Sequence, residues 1–372
     1  MKSLEQSTNS YIKAIAYFLG FIIIALLVYI FMVLKEILLP FTIAIFLTYL
    51  FYPLIEYSRK YKIPKWLSLI IILILTFLVY YLVVLLVVSS LSDLPDKWKI
   101  YSNNISNSVK SILAPFNLTA RELSSYFNFN IQKFDSSSLF QSLFKTGIIQ
   151  NIFSSISSML KDFFVTMIFW IFMILGKSNF ENRIMTAFES RGEKIETTIK
   201  SFNIQLQSYI VVKTIISLVV TIVAIILFLI YGIDFAFLWG LLTFILNFIP
   251  NIGPLIAVVG PILISLFQHG LGFPTISFAV LLIVLHNAMG NLVEPKFLGR
   301  QMDLSPVFVL LSLIFWGWIW GIPGMFLSVP IAAAIRILFL NIPALRPIAI
   351  LMGTKTNQRR DKSSNEEEFL ST

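Results

Sequence analysis

Residues 235–338 are almost wholly apolar, yet the run is broken twice, by N-F-I-P-N-I-G-P from Asn247 to Pro254 and by W-G-I-P-G-M from Trp320 to Met325. Around the first break, the runs 235–248 and 255–267 are each about 14 residues. Each therefore predicts roughly 21 Å of helix against a hydrocarbon core of about 30 Å. Backbone groups freed at such a break find no water in lipid, so they persist only where protein or a watery cavity surrounds them. A pair of interrupted apolar segments in one chain points to a transport site. The residues at the breaks are the first candidates for a transport path: Asn247, Pro250, Asn251, Gly253 and Pro254, then Gly321, Pro323 and Gly324.

The rest of the chain fits a lipid environment. Hydrophobic residues make up 57% and charged residues 13%, where soluble domains carry about a quarter charged residues. With no cysteine, disulfide frameworks, thiol catalysis and thiolate metal sites are excluded. The net charge of +9 fits loop charge that sets topology and touches anionic lipid, not a nucleic-acid partner. No phosphate-binding loop, nucleophile elbow, dinucleotide fingerprint or metal-ligand spacing is present, so the expectation is no enzyme activity and no cofactor.

Apolar segments fall at 11–34, 37–54, 66–91, 163–175, 210–230, 235–267, 275–292 and 307–340. The expected fold is all-α: a polytopic membrane protein of about eight helical segments, two of them Pro/Gly-broken hairpins that are re-entrant or full pairs of spans. The chain divides into membrane helices at 1–92, an outer amphipathic helical domain at 93–162 and a membrane helix at 163–176. A cytoplasmic helical linker follows at 177–207, then a transport core at 208–342 with its breaks at 235–267 and 307–340, and a largely disordered cytoplasmic tail at 343–372. Within 93–162, Ile105, Val109, Ile112 and Phe116, then Leu139, Phe140, Leu143 and Phe144, recur at helical spacing. They suit a packed outer domain, or else a lid or oligomer-forming collar. Lys and Arg cluster at Arg59, Lys60, Lys62 and Lys65 and again in the tail from Arg346 to Lys362, which places both, and both termini, in the cytoplasm.

Ionisable groups inside apolar spans cost of order 2.5–3.5 kcal/mol at a helix centre and so suggest function. Lys213 stands about four residues into a span beginning near Ile210, shallow enough to snorkel to the surface. Arg336 lies toward the cytoplasmic end of its span. Asn287, Asn291 and Glu294, followed by Pro295, recur at i, i+4 and i+7 and should form one polar stripe facing the break at 247–254. His286 should face another side of that helix, and His269 should be a solvated turn residue.

Three strings in order carry a resemblance: Y-G-I-D-F-A-F-L-W-G-L-L-T-F-I-L-N-F-I-P-N-I-G-P, N-L-V-E-P-K-F-L-G-R-Q-M-D-L-S-P and G-I-P-G-M-F-L-S-V-P. With L-L-P-F-T-I-A and Y-P-L near the start, they make the chain resemble the autoinducer-2 exporter family, also described as PerM-like permeases. The resemblance weakens only between Asp93 and Ser158. It implies a bacterial inner-membrane transporter of about eight helices with cytoplasmic termini, embedded in membrane lipid and assembled as a homo-oligomer such as a pentamer. Family members export the signal autoinducer-2 or exchange sodium or potassium for protons. The expected function is export of a small polar, hydroxylated solute. Cation–proton antiport is the alternative within transport, and a non-transporting membrane scaffold the alternative outside it.

Overall fold

A computed structural model describes residues 2–113, 148–187, 192–298 and 304–353. The amphipathic positions from Phe116 to Phe144, Arg300 and the tail from Lys355 lie outside the described residues. Twelve α-helices make up the described chain: α1 (Lys2–Val33), α2 (Lys35–Lys60), α3 (Lys65–Leu113), α4 (Ile148–Ala187), α5 (Gly192–Ile230), α6 (Ala236–Leu246), α7 (Ile252–His269), α8 (Phe273–Ala288), α9 (Glu294–Leu298), α10 (Pro306–Trp320), α11 (Ile322–Asn341) and α12 (Arg346–Leu351). A single π-helical turn, Met289–Val293, joins α8 to α9.

Among the described residues, seven helical stretches are long and apolar enough to cross a membrane, and three shorter apolar ones accompany them at 18–33, 236–246 and 306–320. When α6 is counted with α7 and α10 with α11, these make eight membrane segments. Helices α3, α4 and α5 run unbroken across residues 92/93, 162/163, 176/177 and 207/208, so those divisions fall within continuous helices.

The two broken segments are helical hairpins with unequal arms. The expectation of two short halves holds only for the first arm of each. The 11-residue α6 is answered by the 18-residue α7, and the 15-residue α10 by the 20-residue α11. Pro254 and Pro323 account for the difference, because proline in the first turn of a helix sacrifices no backbone hydrogen bond. Pro254 sits among the first residues of α7 and Pro323 at the start of α11, so each second arm begins earlier than a helix-breaking reading of proline suggests.

Each corner depends on one residue with a left-handed backbone and one glycine. Asn251 (φ 62°) turns the first corner and Gly321 (φ 68°) the second. A Cβ on Gly253 would lie 1.7 Å from the Leu246 carbonyl oxygen, and one on Gly324 would lie 2.0 Å from that of Trp316. In both hairpins, then, the second arm crosses the end of the first at backbone contact, an approach only glycine permits.

Three apolar clusters hold the helices together. Ala44, Ile55, Leu69, Met167 and Trp170 join α2, α3 and α4. Ala224, Phe228, Ala236, Phe278 and Leu282 join α5, α6 and α8. The third cluster joins both hairpins to α2 and α5 through Phe46, Tyr209, Phe248, Trp316, Trp320 and Leu327. Much of α1 and α3 carries exposed apolar side chains, such as Phe21, Ile24, Ile71 and Ile74, as a lipid-facing surface requires.

Candidate functional site

The first hairpin folds back so that both its ends meet at one base. At its base, the Gln268 side chain donates to the Gly232 carbonyl at 3.2 Å and accepts from the Asp234 amide at 2.9 Å, stitching the end of α7 to the turn before α6. Helix α3 extends to the same place. Lys97 Nζ lies 2.8 Å from Asp234 Oδ1, Tyr101 donates to Asp234 Oδ2 at 2.8 Å, and Asn104 donates to the carbonyls of Phe267 and Gln268. Burial first, then the hydrogen bond to the Asp234 carboxylate, pushes the Tyr101 hydroxyl well above the ordinary phenol range, so it remains a donor to that carboxylate. At the tip, Asn247 Nδ2 donates to Ser217 Oγ at 2.8 Å. Ser217 is midway along the apolar span Phe202–Ile230. The hairpin therefore enters beside the end of α5, turns at the depth of α5's middle, and leaves by the side it entered.

The second hairpin is closed at the opposite end. Helix α8 packs against α5 in antiparallel fashion, with Phe278 beside Phe228 (ring centroids 5.9 Å apart) and Glu294 beside Lys213. The chain is thereby returned toward the first turns of α5, and α10 starts there. Leu304 bridges to Gly353, and the Ser305 amide donates to the Met352 carbonyl at 2.8 Å. The two arms are tied midway by Ser312 Oγ donating to the Ser328 carbonyl at 2.9 Å. The tips then meet: the rings of Phe248 and Phe326 are 4.4 Å apart, Phe46 of α2 touches both, and Trp320 Nε1 donates to the Phe31 carbonyl of α1.

Beside this junction is an ion pair. Lys213 is 5% exposed, and its Nζ is 2.5 Å from Glu294 Oε1. Of the two readings of Lys213, a snorkelling group or a member of the path, its burial and its turn toward Glu294 suit the second. The apolar span begins at Phe202, so Lys213 is roughly 16 Å along it. Asn203, Gln205, Gln207 and Ser208 in the first turns made the span look as if it began later. A charge at that depth needs a partner, and α9 supplies one.

The structure divides the expected polar stripe. Asn287 and Asn291 are exposed; the first donates to the Ile283 carbonyl, and the second donates to Asn287 Oδ1 at 3.3 Å. Only Glu294 turns inward. The cause is the π turn Met289–Val293, whose extra residue shifts the helical phase between Asn291 and Glu294. His286 does face a different side: it is buried, and its Nδ1 lies 3.1 Å from the Leu282 carbonyl. Pro295 and Pro323 are exposed and contribute shape, not chemistry. Arg336 is drawn away from the junction, donating from Nε to the Ala349 carbonyl and so fastening α12. His269 is exposed in its turn.

Ser217, Thr221 and Thr243 did not figure among the sequence candidates, although Lys213, Ser217 and Thr221 recur at i and i+4 through an apolar span, the same signal that singled out Asn287 and Asn291. Among the described residues, no three His, Cys, Asp or Glu side chains come together as a metal site requires.

A membrane chain whose described residues are helical, with two hairpins based at opposite ends and their tips meeting beside an ion pair of a buried lysine, has the architecture of a secondary transporter. The sequence profile of the AI-2E family transporters matches residues 20–344, and the chain belongs to that family. The AI-2 transport protein TqsA of Escherichia coli is 27% identical over 323 residues, which cover 86% of this chain and 90% of the relative. A Haemophilus influenzae protein named "Putative transport protein" is 28% identical over 325 residues, with the same shares covered.

Proposed function

We propose that this transporter exports a small, polar, uncharged, hydroxylated solute, such as the AI-2 that the name of its Escherichia coli relative gives, and that it does so without catalysis. The observation that carries this reading is the chemistry beside the junction of the hairpin tips. There the buried Lys213 and the partly exposed Glu294 neutralise each other, and one turn along α5 Ser217 accepts from Asn247, both neutral hydrogen-bonding groups. A multiply charged solute would need an excess of one sign there; a neutral hydroxylated one needs donors and acceptors. Asn247, Lys213 and Glu294 are the side chains assigned to the path. Pro250, Asn251, Gly253 and Pro254, with Gly321, Pro323 and Gly324, shape the corners that bring these side chains there.

In this reading both termini are cytoplasmic, so the first hairpin opens to the outside and the second to the cytoplasm. The exposed apolar faces of α1 and α3 serve lipid and further copies of the chain in a homo-oligomer. Comparing intracellular and extracellular metabolites of deletion and overexpression strains tests the reading. The deletion strain should retain a neutral hydroxylated metabolite that overexpression releases. Matched metabolite pools with altered sodium, potassium or pH tolerance would instead refute it.

A further inference from the structure

Above Ser217 on α5, three polar atoms are buried with no hydrogen-bond partner: Thr221 Oγ1, Thr243 Oγ1 and His286 Nε2. Their residues are 7%, 0% and 9% exposed. Elsewhere the helical threonines solve this problem locally. Thr42, Thr48, Thr76, Thr166 and Thr214 each donate to the carbonyl four residues back, whereas Thr221 and Thr243 make no such bond. His286 uses Nδ1 on the Leu282 carbonyl, which leaves Nε2 of the neutral ring as an acceptor.

The three atoms belong to one layer. Asn247 meets Ser217, and Gly240 is packed against Ile225, so α6 and α5 run antiparallel with Thr243 level with Thr221. Phe278 meets Phe228 and Glu294 meets Lys213, so α8 and α5 run antiparallel with His286 at the same level. Leaving a buried polar group unpaired costs about 1–3 kcal/mol. Three in one layer, two hydroxyls and an imidazole acceptor, supply the two to four polar partners that a buried water or solute hydroxyl needs.

We propose that this layer, continuous with Lys213, Ser217 and Asn247 along one face of α5, is the solute's route through the middle of the membrane. The proposal rests on the transporter reading and places the route between α5, α6 and α8. The junction of the hairpin tips is filled instead by rings in contact, Phe248 on Phe326 and Trp316 on Trp320, and serves as a dry pivot. Lys213, Ser217 and Thr221 recur every turn, so the polar line covers roughly 12 Å.

The chain has no cysteine, so single cysteines report without background. Thr221→Cys and Thr243→Cys are nearly isosteric, and Ile222→Cys, at a position 49% exposed on the outward face of α5, is the control. In proteoliposomes treated with a charged, membrane-impermeant methanethiosulfonate reagent, the two threonine variants should be modified severalfold faster than the control. Equal modification of all three overturns the route. Thr221→Val and Thr243→Val provide the second measurement. A hydrated route predicts slower solute flux with the fold retained. A dry, merely unsatisfied layer predicts a higher Tm and unchanged flux, because removing an unpaired hydroxyl stabilises, and that result also overturns the proposal. Wild-type vesicles that carry no solute, while Thr221→Cys still reacts rapidly, would refute the transporter reading and leave the hydrated layer standing.

Discussion

Among the described residues, Lys213 and Glu294 form the most buried ion pair. Each holds the other's charge where hydrocarbon or packed side chains would otherwise surround it. Removing one partner strands the other, so Lys213→Met and Glu294→Gln should each lower stability by about 3 kcal/mol. The double variant should recover most of that loss, because two neutral groups strand nothing. Thermal unfolding of the purified protein in detergent measures all three, and a double variant no more stable than the singles would mean the pair does not act as a unit. Asn247 is a smaller case: Asn247→Leu leaves Ser217 without the bond it now accepts and should cost about 1 kcal/mol.

At the scale of the element, the corners and the π turn are the vulnerable features. Gly253→Ala and Gly324→Ala would drive a methyl into a carbonyl oxygen of the preceding arm. Overpacking of this kind costs about 1–3 kcal/mol, and more where backbone must move, so both variants should accumulate poorly. Gly290→Ala, where a Cβ meets nothing within 4 Å, should behave as wild type in the same expression and melting assays. The π turn Met289–Val293 allows a second prediction. Deleting Leu292 would restore α-helical phase and swing Glu294 by about 100° away from Lys213. The deletion should therefore resemble Glu294→Gln in stability, while deletion of a residue from the exposed start of α8 should not.

For the whole molecule, the opposed entry of the two hairpins is the organising feature. One hairpin base is fastened to α3 through Asp234 and Gln268, the other to α12 through Ser305 and Arg336. On the proposed orientation, Leu271→Cys beside the first base should react with an impermeant thiol reagent in intact cells. Leu351→Cys, beside the second base and 80% exposed, should react only after the membrane is opened. Reaction of both from the outside would contradict the opposed arrangement. The base contacts are partly exposed ion pairs and hydrogen bonds, each worth about 1 kcal/mol or less. They can part and re-form, whereas the ring-on-ring tip junction stays closed, which suits hairpins that rock about their tips.

Much of this was legible from residues alone. Long apolar runs can lie nowhere but in lipid, so the all-helical, eight-segment architecture follows from composition and length. Asn, Gly and Pro at 247–254 and 320–325 mark corners because few other residues fit a left-handed or donor-free backbone. Family membership follows from long motifs in order. Depth, partnership and phase were decided by the tertiary structure. Lys213 looked shallow because Asn203, Gln205, Gln207 and Ser208 interrupt the local hydropathy of α5, which cannot see that Asn203 is bonded to Tyr49 of α2. The stripe of Asn287, Asn291 and Glu294 looked continuous because 3.6-residue counting does not anticipate a π turn. That turn is what brings Glu294 round to Lys213. Thr221 and Thr243 stand four residues from Ser217 and Asn247, but a helical threonine in an apolar span is ordinary, so that spacing alone does not single them out. Only the packing of α6 and α8 against α5 places their hydroxyls together with no partner in reach.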